Sequence, residues 1–210
     1  MSRAVVALAT WILITAVLVP TALACDAYDG LIRQAADRYR VPWWLVKGLI
    51  AAESGFWAGA LRAEPHIGDA GHGLMQILLS TARDMGYRGG SEGLLDPATN
   101  IDLGTRYFSQ MVSQFRDVRL AVAAYNAGPG YVGRLAARYG MSYDAVRPHL
   151  PAAVQEHVRR VLAYGTAFRD GTEPAFAFRC PAEPVPVRSE TSPALLFLLF
   201  IAALVVLADS

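Results

Sequence analysis

The chain has 210 residues, enough for one domain of ordinary size with additional segments. Hydrophobic residues make up 54% of it, above the usual range for a soluble domain, and much of the excess lies at the two ends. The formal net charge of +1, without any long run of like charges, gives no support for nucleic-acid binding.

The N-terminal segment, residues 1–24, has the pattern of a secretory signal. Arg3 supplies a positive charge, residues 4–19 are almost wholly apolar, and small residues at Ala22 and Ala24 precede Cys25. Two alternatives stay open. The apolar run is long for the core of a signal peptide, so an uncleaved membrane anchor is one of them. Cys25 is also a candidate for lipid attachment, although Ala22 stands where a lipoprotein signal has a large aliphatic residue.

The central segment, residues 25–180, is predicted to be a single all-α domain. Apolar residues at helical spacing predict a first helix around Leu31, Ala35 and Tyr39 and a strongly apolar helix from Trp43 to Ser54. Further helices are expected after Asp96-Pro97 and after Asp117, each beginning at a capping aspartate. The second of these ends at the break 128–130, and a last helix carries Val154, Val158, Val161 and Leu162. Residues 63–73 and 86–93 are predicted loops, some of which form a small hairpin.

The C-terminal part contains a proline-rich spacer, residues 181–193, and an apolar segment, residues 194–208. The apolar segment is short for a spanning helix but has no polar face, so we interpret it as a membrane tail or sorting signal rather than a packed core helix. An exported chain favours a disulfide between Cys25 and Cys180. Closing that long loop is worth about 4–5 kcal/mol in the chain-entropy model. Two free thiols, or a lipid on Cys25, are the alternatives.

Glu53 is the residue that most suggests chemistry. It shares one face of its helix with Val46 and Ile50, so its carboxyl group points where the apolar residues point. Burial raises the pKa of a carboxyl group, and an acid that stays protonated near neutral pH can donate a proton to a leaving oxygen. The alternative is a side chain that turns into solvent at the helix end.

Three short motifs follow one another in a recognisable order. Glu53-Ser54-Gly55 is followed by Gly73-Leu74-Met75-Gln76 and then by Ala123 to Gly130, with the sequence AAYNAGPG. Together with Asp96-Pro97 and Asn100-Ile101, they resemble the catalytic domain of soluble lytic transglycosylases, in the lysozyme-like α+β superfamily. The resemblance runs from about Tyr28 to about Tyr164, nearly all of the predicted globular part, and implies one helical domain with a substrate groove.

The resemblance implies that this chain cleaves peptidoglycan glycan strands. Glu53 would protonate the β-1,4 glycosidic oxygen between N-acetylmuramic acid and N-acetylglucosamine. The substrate's N-acetyl group would stabilise the cationic sugar, and the muramic 6-hydroxyl would close a 1,6-anhydro ring. The resemblance implies substrate contacts at a further five positions. These are Ser54, Met75, Gln76, Tyr125 and Asn126, with core packing or helix capping as their structural alternatives.

Two positions depart from the family pattern. His157 stands where the family often has a tyrosine that hydrogen-bonds the catalytic glutamate, so it either replaces that tyrosine or is a surface residue. The loop 64–72 is longer than usual and resembles goose-type lysozymes, in which aspartates of this region position a hydrolytic water. Asp69 is therefore either a second catalytic carboxylate of an inverting hydrolase or a turn residue.

No cofactor is implied, and metal binding is not expected, because His66 and His72 lie on a loop without a cysteine partner. The leading hypothesis is an exported, membrane-associated lytic transglycosylase of the cell envelope or periplasm. Wall turnover, or wall opening for a secretion or conjugation machine, is its expected role. A goose-lysozyme-like hydrolase and a non-catalytic wall-binding scaffold are the alternatives.

Overall fold

The structure, a computed structural model, describes residues 26–65 and 67–172, together with residues 178, 180 and 185. The predicted signal or anchor, most of the proline-rich spacer and the apolar tail lie outside these residues, as do Cys25 and His66. Within the described part, no helix combines the length and the apolar character needed to cross a bilayer.

The described part is mostly helical, as the sequence predicted. The helices are α1 (Asp29–Tyr39), α2 (Trp43–Ser54), α3 (Leu79–Asp84), α4 (Pro97–Phe115), α5 (Val118–Ala127), α6 (Pro129–Tyr139), α7 (Tyr143–Val146) and α8 (Ala152–Arg169). Short 3-10 turns cover Asp26–Tyr28, Ser91–Leu95 and Arg147–His149.

Helix starts follow the predicted capping residues. The Asp96 side chain accepts a hydrogen bond from the Thr99 amide at the start of α4, and the Asp117 side chain caps α5. The predicted break at 128–130 is confirmed, but the chain returns to helix at once in α6. Pro129 at the first helical position explains the restart, because its fixed φ suits a helix and its missing N–H is not needed there.

Helix α2 passes through the centre of the fold and packs most closely against α8. A side chain at Gly48 would place its Cβ 2.5 Å from the backbone oxygen of Val161, and one at Gly165 would lie 2.8 Å from the backbone oxygen of Trp44. The two glycines therefore allow the helix backbones to approach each other. This close contact holds α8 alongside α2, and further along the pair His157 of α8 lies next to Glu53 in the last turn of α2.

A three-stranded antiparallel sheet covers that end of α2. Strand β1 (Leu61–Glu64) pairs with β2 (Asp69–His72), from Leu61 opposite His72 to Glu64 opposite Asp69, and β2 pairs with the short β3 (Ile77–Leu78). The small hairpin predicted within the loop region is confirmed. Since side chains alternate along a strand, Arg62 and Glu64 share one face of β1.

Candidate active site

Glu53 lies in the last turn of α2 with a side chain that is 3% exposed. Val46 and Ile50, its predicted neighbours on the helix face, are fully buried. Burial raises the pKa of Glu53 to about 7, against the lowering influence of the Arg62 and Arg160 guanidinium groups. The carboxyl group therefore holds its proton far above the pH at which a solvated glutamate loses it.

Two side chains approach the two oxygens of the Glu53 carboxyl group. The Arg62 Nη2 atom donates a long hydrogen bond, 3.5 Å, to Oε2. The His157 Nε2 atom lies 3.5 Å from Oε1. The carboxyl group is thus held between strand β1 on one side and helix α8 on the other.

His157 lies inside the protein and not on its surface. It is buried on α8, facing Glu53, at the position the resemblance assigned to a glutamate-binding group. Burial, helped by Arg160 and Arg62, lowers its pKa to about 4, so the imidazole stays neutral where an isolated histidine begins to charge. Its Nε2 atom has no hydrogen-bond partner among the described residues.

Three separate parts of the chain hold the loop 73–76 in place. The Ser54 hydroxyl donates to the Leu74 carbonyl at 2.8 Å, and the Tyr125 hydroxyl donates to the Met75 carbonyl at 2.8 Å. The buried Asn100 side chain accepts a hydrogen bond from the Met75 amide at 2.7 Å. Its amide group donates to the backbone carbonyls of His72, just before the loop, and of Leu94, next to it. The motifs recognised in the sequence therefore converge on one backbone segment.

This loop is compact and presents Gln76 to the site. Gln76 has a positive φ of 50°, which a non-glycine residue adopts only when its surroundings hold it there. Its side-chain amide donates to the carbonyls of Gly73 and Ala60. A Cβ at Gly73 would lie 2.6 Å from the Asn100 side chain, so the glycine is required for this packing as well as for its own positive φ.

A cleft of about 390 Å³ opens in front of Glu53. Of the residues predicted to contact substrate, Gln76, Tyr125 and Asn126 line it. The Met75 side chain is fully buried, against Gly104, and does not line the cleft. Ser54 is likewise outside the lining and serves through its hydrogen bond to the loop.

Asp69 is used for local structure. One carboxylate oxygen accepts hydrogen bonds from the Ala70 and Leu79 amides, and the other accepts from the Ser80 amide at the start of α3. Burial acts to raise the pKa of Asp69, but the hydrogen bonds from Ser80, Ala70 and Leu79 outweigh it and the pKa is lowered. Asp69 is also not among the residues that line the cleft.

Sequence reasoning missed several groups that the fold brings to the cleft. Arg62, Glu64 and Tyr107 all line it, and Arg160 approaches Glu53 from α8. An alternating strand pattern at 61–64 was the signal for the first two, but the segment is too short to distinguish from a loop. Among the described residues, no group of three or more histidine, cysteine, aspartate or glutamate side chains could hold a metal ion.

Comparison with known proteins identifies relatives of this site. The family model described as "Transglycosylase SLT domain" matches residues 30–145. The soluble lytic murein transglycosylase of Escherichia coli (strain K12) is 32% identical over 154 residues, covering 68% of this chain and 23% of the relative. A membrane-bound lytic murein transglycosylase C of Haemophilus influenzae (strain PittGG) is 37% identical over 123 residues, covering 51% of this chain and 33% of the relative.

A solved structure agrees with these matches. An inactive mutant of the lytic transglycosylase Slt from Pseudomonas aeruginosa, with one glutamate replaced by glutamine, superimposes with a TM-score of 0.58 at 26% identity. The superposition covers 70% of this chain and 25% of that one. The chain thus spans about a quarter to a third of the length of these relatives. Since the family model covers more than half of it, the chain belongs to the transglycosylase SLT domain family.

Proposed function

We propose that this chain is a peptidoglycan lytic transglycosylase in which Glu53 is the catalytic acid and base. The observation that carries the proposal is the buried Glu53 carboxyl group, whose pKa is raised to about 7, at the wall of an open cleft. A group with a pKa near the working pH both donates and takes back a proton efficiently. Lytic murein transglycosylases among the relatives support the substrate class.

The reaction requires one proton donor and no water. Glu53 gives its proton to the glycosidic oxygen between N-acetylmuramic acid and N-acetylglucosamine as the bond from that oxygen to the muramic anomeric carbon breaks. The N-acetyl oxygen of the muramic residue stabilises the cationic carbon. The muramic 6-hydroxyl oxygen then bonds to that carbon while Glu53 takes the hydroxyl proton, which restores the acid and leaves a 1,6-anhydro end.

The cleft residues take different parts in this proposal. Gln76 donates both of its amide hydrogens to backbone carbonyls, so it offers its side-chain oxygen to the sugar, whereas Asn126 offers its amide group to the sugar hydroxyl and N-acetyl groups. The Tyr125 hydroxyl donates its hydrogen bond to the Met75 carbonyl. Towards the sugar, Tyr125 therefore offers its ring face and its hydroxyl oxygen as an acceptor. Ser54 and Met75 act by fixing the loop that carries Gln76.

A hydrolase of the goose-lysozyme kind is less well supported. It would need a second carboxylate to activate water on the far face of the sugar. Both oxygens of Asp69 already accept backbone hydrogen bonds, and Asp69 is not in the cleft lining. The relatives found by comparison are also named as transglycosylases.

Digestion of purified peptidoglycan tests the proposal. The wild-type protein is expected to release muropeptides with 1,6-anhydro ends, identified by mass spectrometry, and Glu53→Gln is expected to release none. Glu156→Gln, which removes an exposed glutamate on α8 paired with Arg159, is the matched control and should digest like wild type. Reducing ends would establish a hydrolase, and digestion by Glu53→Gln at the wild-type rate would show that Glu53 is not the acid, leaving the non-catalytic scaffold with a contaminating activity.

We also propose export to the cell envelope, with the terminal apolar segments mediating membrane attachment. Relatives that are named membrane-bound support the envelope setting. Sequencing the N-terminus of the protein recovered from envelope fractions tests it, because a cleaved signal gives a chain beginning at Cys25, whereas an anchor leaves Met1 or Ser2. A role beside a secretion or conjugation machine stays a prediction.

The Cys25–Cys180 disulfide is part of the same proposal. The Val185 amide donates a hydrogen bond to the Ala27 carbonyl at 2.7 Å. Val185 follows Cys180 by five residues and Ala27 follows Cys25 by two, so this bond supports proximity of the two cysteines. Cys180 packs against the hydrophobic core. Mass spectrometry of a non-reduced digest should find the two cysteine peptides linked, and detection of both as free thiols in exported protein would contradict the disulfide.

A further inference from the structure

Arg62 stands between two carboxyl groups at the cleft. Its Nη2 atom lies 3.5 Å from Glu53 Oε2, and its Nε atom donates to Glu64 Oε1 at 3.1 Å. Arg62 is half-exposed and Glu64 is partly exposed, whereas the Glu53 side chain is buried. One guanidinium group therefore contacts the buried acid on one side and a second carboxylate at the cleft wall on the other.

The position of Arg62 next to the proposed proton donor raises a question about the protonation of Glu53. A cation next to a buried acid favours the ionised form, which cannot donate a proton. Burial is the largest influence on the pKa of Glu53 and raises it, whereas Arg62 and Arg160 lower it. Glu64 acts in the opposite sense to the two arginines and helps to keep the pKa at about 7.

We propose that Arg62 is a positioning residue that fixes the direction of the Glu53 carboxyl group, and that Glu64 offsets its positive charge so that Glu53 keeps its proton. The inference rests on the proposed function, in which Glu53 is the proton donor. Glu64 thereby has a defined task in the cleft without taking part in bond breaking.

Arginine suits this task because its planar group carries five donors in a fixed fork and can contact two carboxyl groups at once. The alternation along β1 places Arg62 and Glu64 on the same face, so the pair comes from one rigid strand. The titratable and charged groups facing Glu53 come from three elements. They are Arg62 and Glu64 from β1, Tyr125 from α5, and His157 and Arg160 from α8.

Four variants of the full chain separate orientation from charge. They are Arg62→Gln, Arg62→Lys, Glu64→Gln and the double variant Arg62→Gln/Glu64→Gln. The protonation of Glu53 is followed directly by ¹³C NMR of the labelled glutamate side-chain carboxyl carbons, with the Glu53 signal assigned by its loss in Glu53→Gln. Release of anhydro-muropeptides is measured in parallel from about pH 5 to about pH 9.

The charges of Arg62 and Glu64 determine the expected shifts in the titration of Glu53. In Arg62→Gln the Glu53 midpoint and the alkaline limb of the pH–rate profile should move up by about half to one pH unit, because a half-exposed opposite charge is lost. Arg62→Lys should keep both near wild type. In Glu64→Gln both should move down, since the undivided charge of Arg62 then acts on Glu53, and this effect should shrink in the double variant.

The role of Arg62 in orienting the Glu53 carboxyl group determines the expected change in kcat. Below the midpoint, where Glu53 is protonated in every variant, Arg62→Gln and Arg62→Lys should both lower kcat by about tenfold with little change in KM, because lysine restores the charge but not the fork. Arg38→Gln, which breaks a partly exposed ion pair with Asp102 outside the lining of the cleft, is the matched control and should change neither readout. Circular dichroism verifies that each variant is folded.

Three results would overturn the inference: an unmoved Glu53 midpoint in folded Arg62→Gln, an equal effect of Glu64→Gln with and without Arg62, or a switch to reducing-end products in Glu64→Gln. The last would make Glu64 a reacting carboxylate. Because the titration needs no substrate, its outcome is independent of whether the wild-type protein cleaves peptidoglycan, so failure of the proposed function is recognised separately by absent anhydro products.

Discussion

Glu53→Gln should stabilise the fold at high pH and leave it nearly unchanged at low pH. Glu53 has a pKa of about 7 in the fold against a reference value of 4.5. Since the folded pKa is the higher one, the stability that comes from the bound proton is fully present below pH 4.5 and is lost as the pH rises through 7. Glutamine stays neutral throughout and does not suffer this loss.

The size of the effect follows from the separation of the two values. Each pH unit between them corresponds to about 1.4 kcal/mol, so above pH 7 the wild-type fold bears a cost of up to about 3 kcal/mol that the variant avoids. The measured gain should fall short of this limit, because glutamine leaves the Arg62 and Arg160 guanidinium groups without their nearby carboxylate.

Urea denaturation of the two proteins at several values between about pH 4 and about pH 8 measures the difference in the free energy of unfolding. Glu156→Gln, at an exposed ion pair, should not gain stability on going to high pH. A constant difference between Glu53→Gln and wild type would refute the reasoning. It would mean that Glu53 is ionised in the fold as readily as in the unfolded chain, and the acid would not be protonated in advance.

Three further predictions concern the support of the site. Asn100→Ala should lower the free energy of unfolding by about 2–4 kcal/mol in urea denaturation, because three buried hydrogen bonds are lost; a loss below about 1 kcal/mol would contradict this. Gly48→Ala should cost about 1–3 kcal/mol in the same assay, since its Cβ would lie 2.5 Å from a backbone oxygen of α8, whereas unchanged stability would show that the helices shift freely. His157→Gln should leave the shape of the pH–rate profile of peptidoglycan digestion unchanged above about pH 5, because the pKa of this histidine is lowered to about 4; loss of an acid limb near pH 6.5 would refute the neutral imidazole.

The sequence alone predicted much of the local structure. Apolar periodicity predicted the bounds of α2 and put Glu53 on its apolar face, with a turn of the side chain into solvent left open, and the aspartates before α4 and α5 indicated where those helices begin. These features depend on contacts between residues a few positions apart, which a pattern in the chain records directly. The family motifs likewise singled out Glu53 as the candidate acid, together with the loop 73–76, without any structure.

The tertiary structure alone decided how that acid behaves. The pKa of Glu53 depends on what surrounds it, and those groups come from β1 and from α8, about a hundred residues further along the chain. Whether His157 faced the acid or the solvent was open in the sequence, because a single histidine has no periodicity that fixes its direction. Burial and charge act through space, and only the packing of α8 against α2, permitted by Gly48 and Gly165, brings the relevant groups within reach.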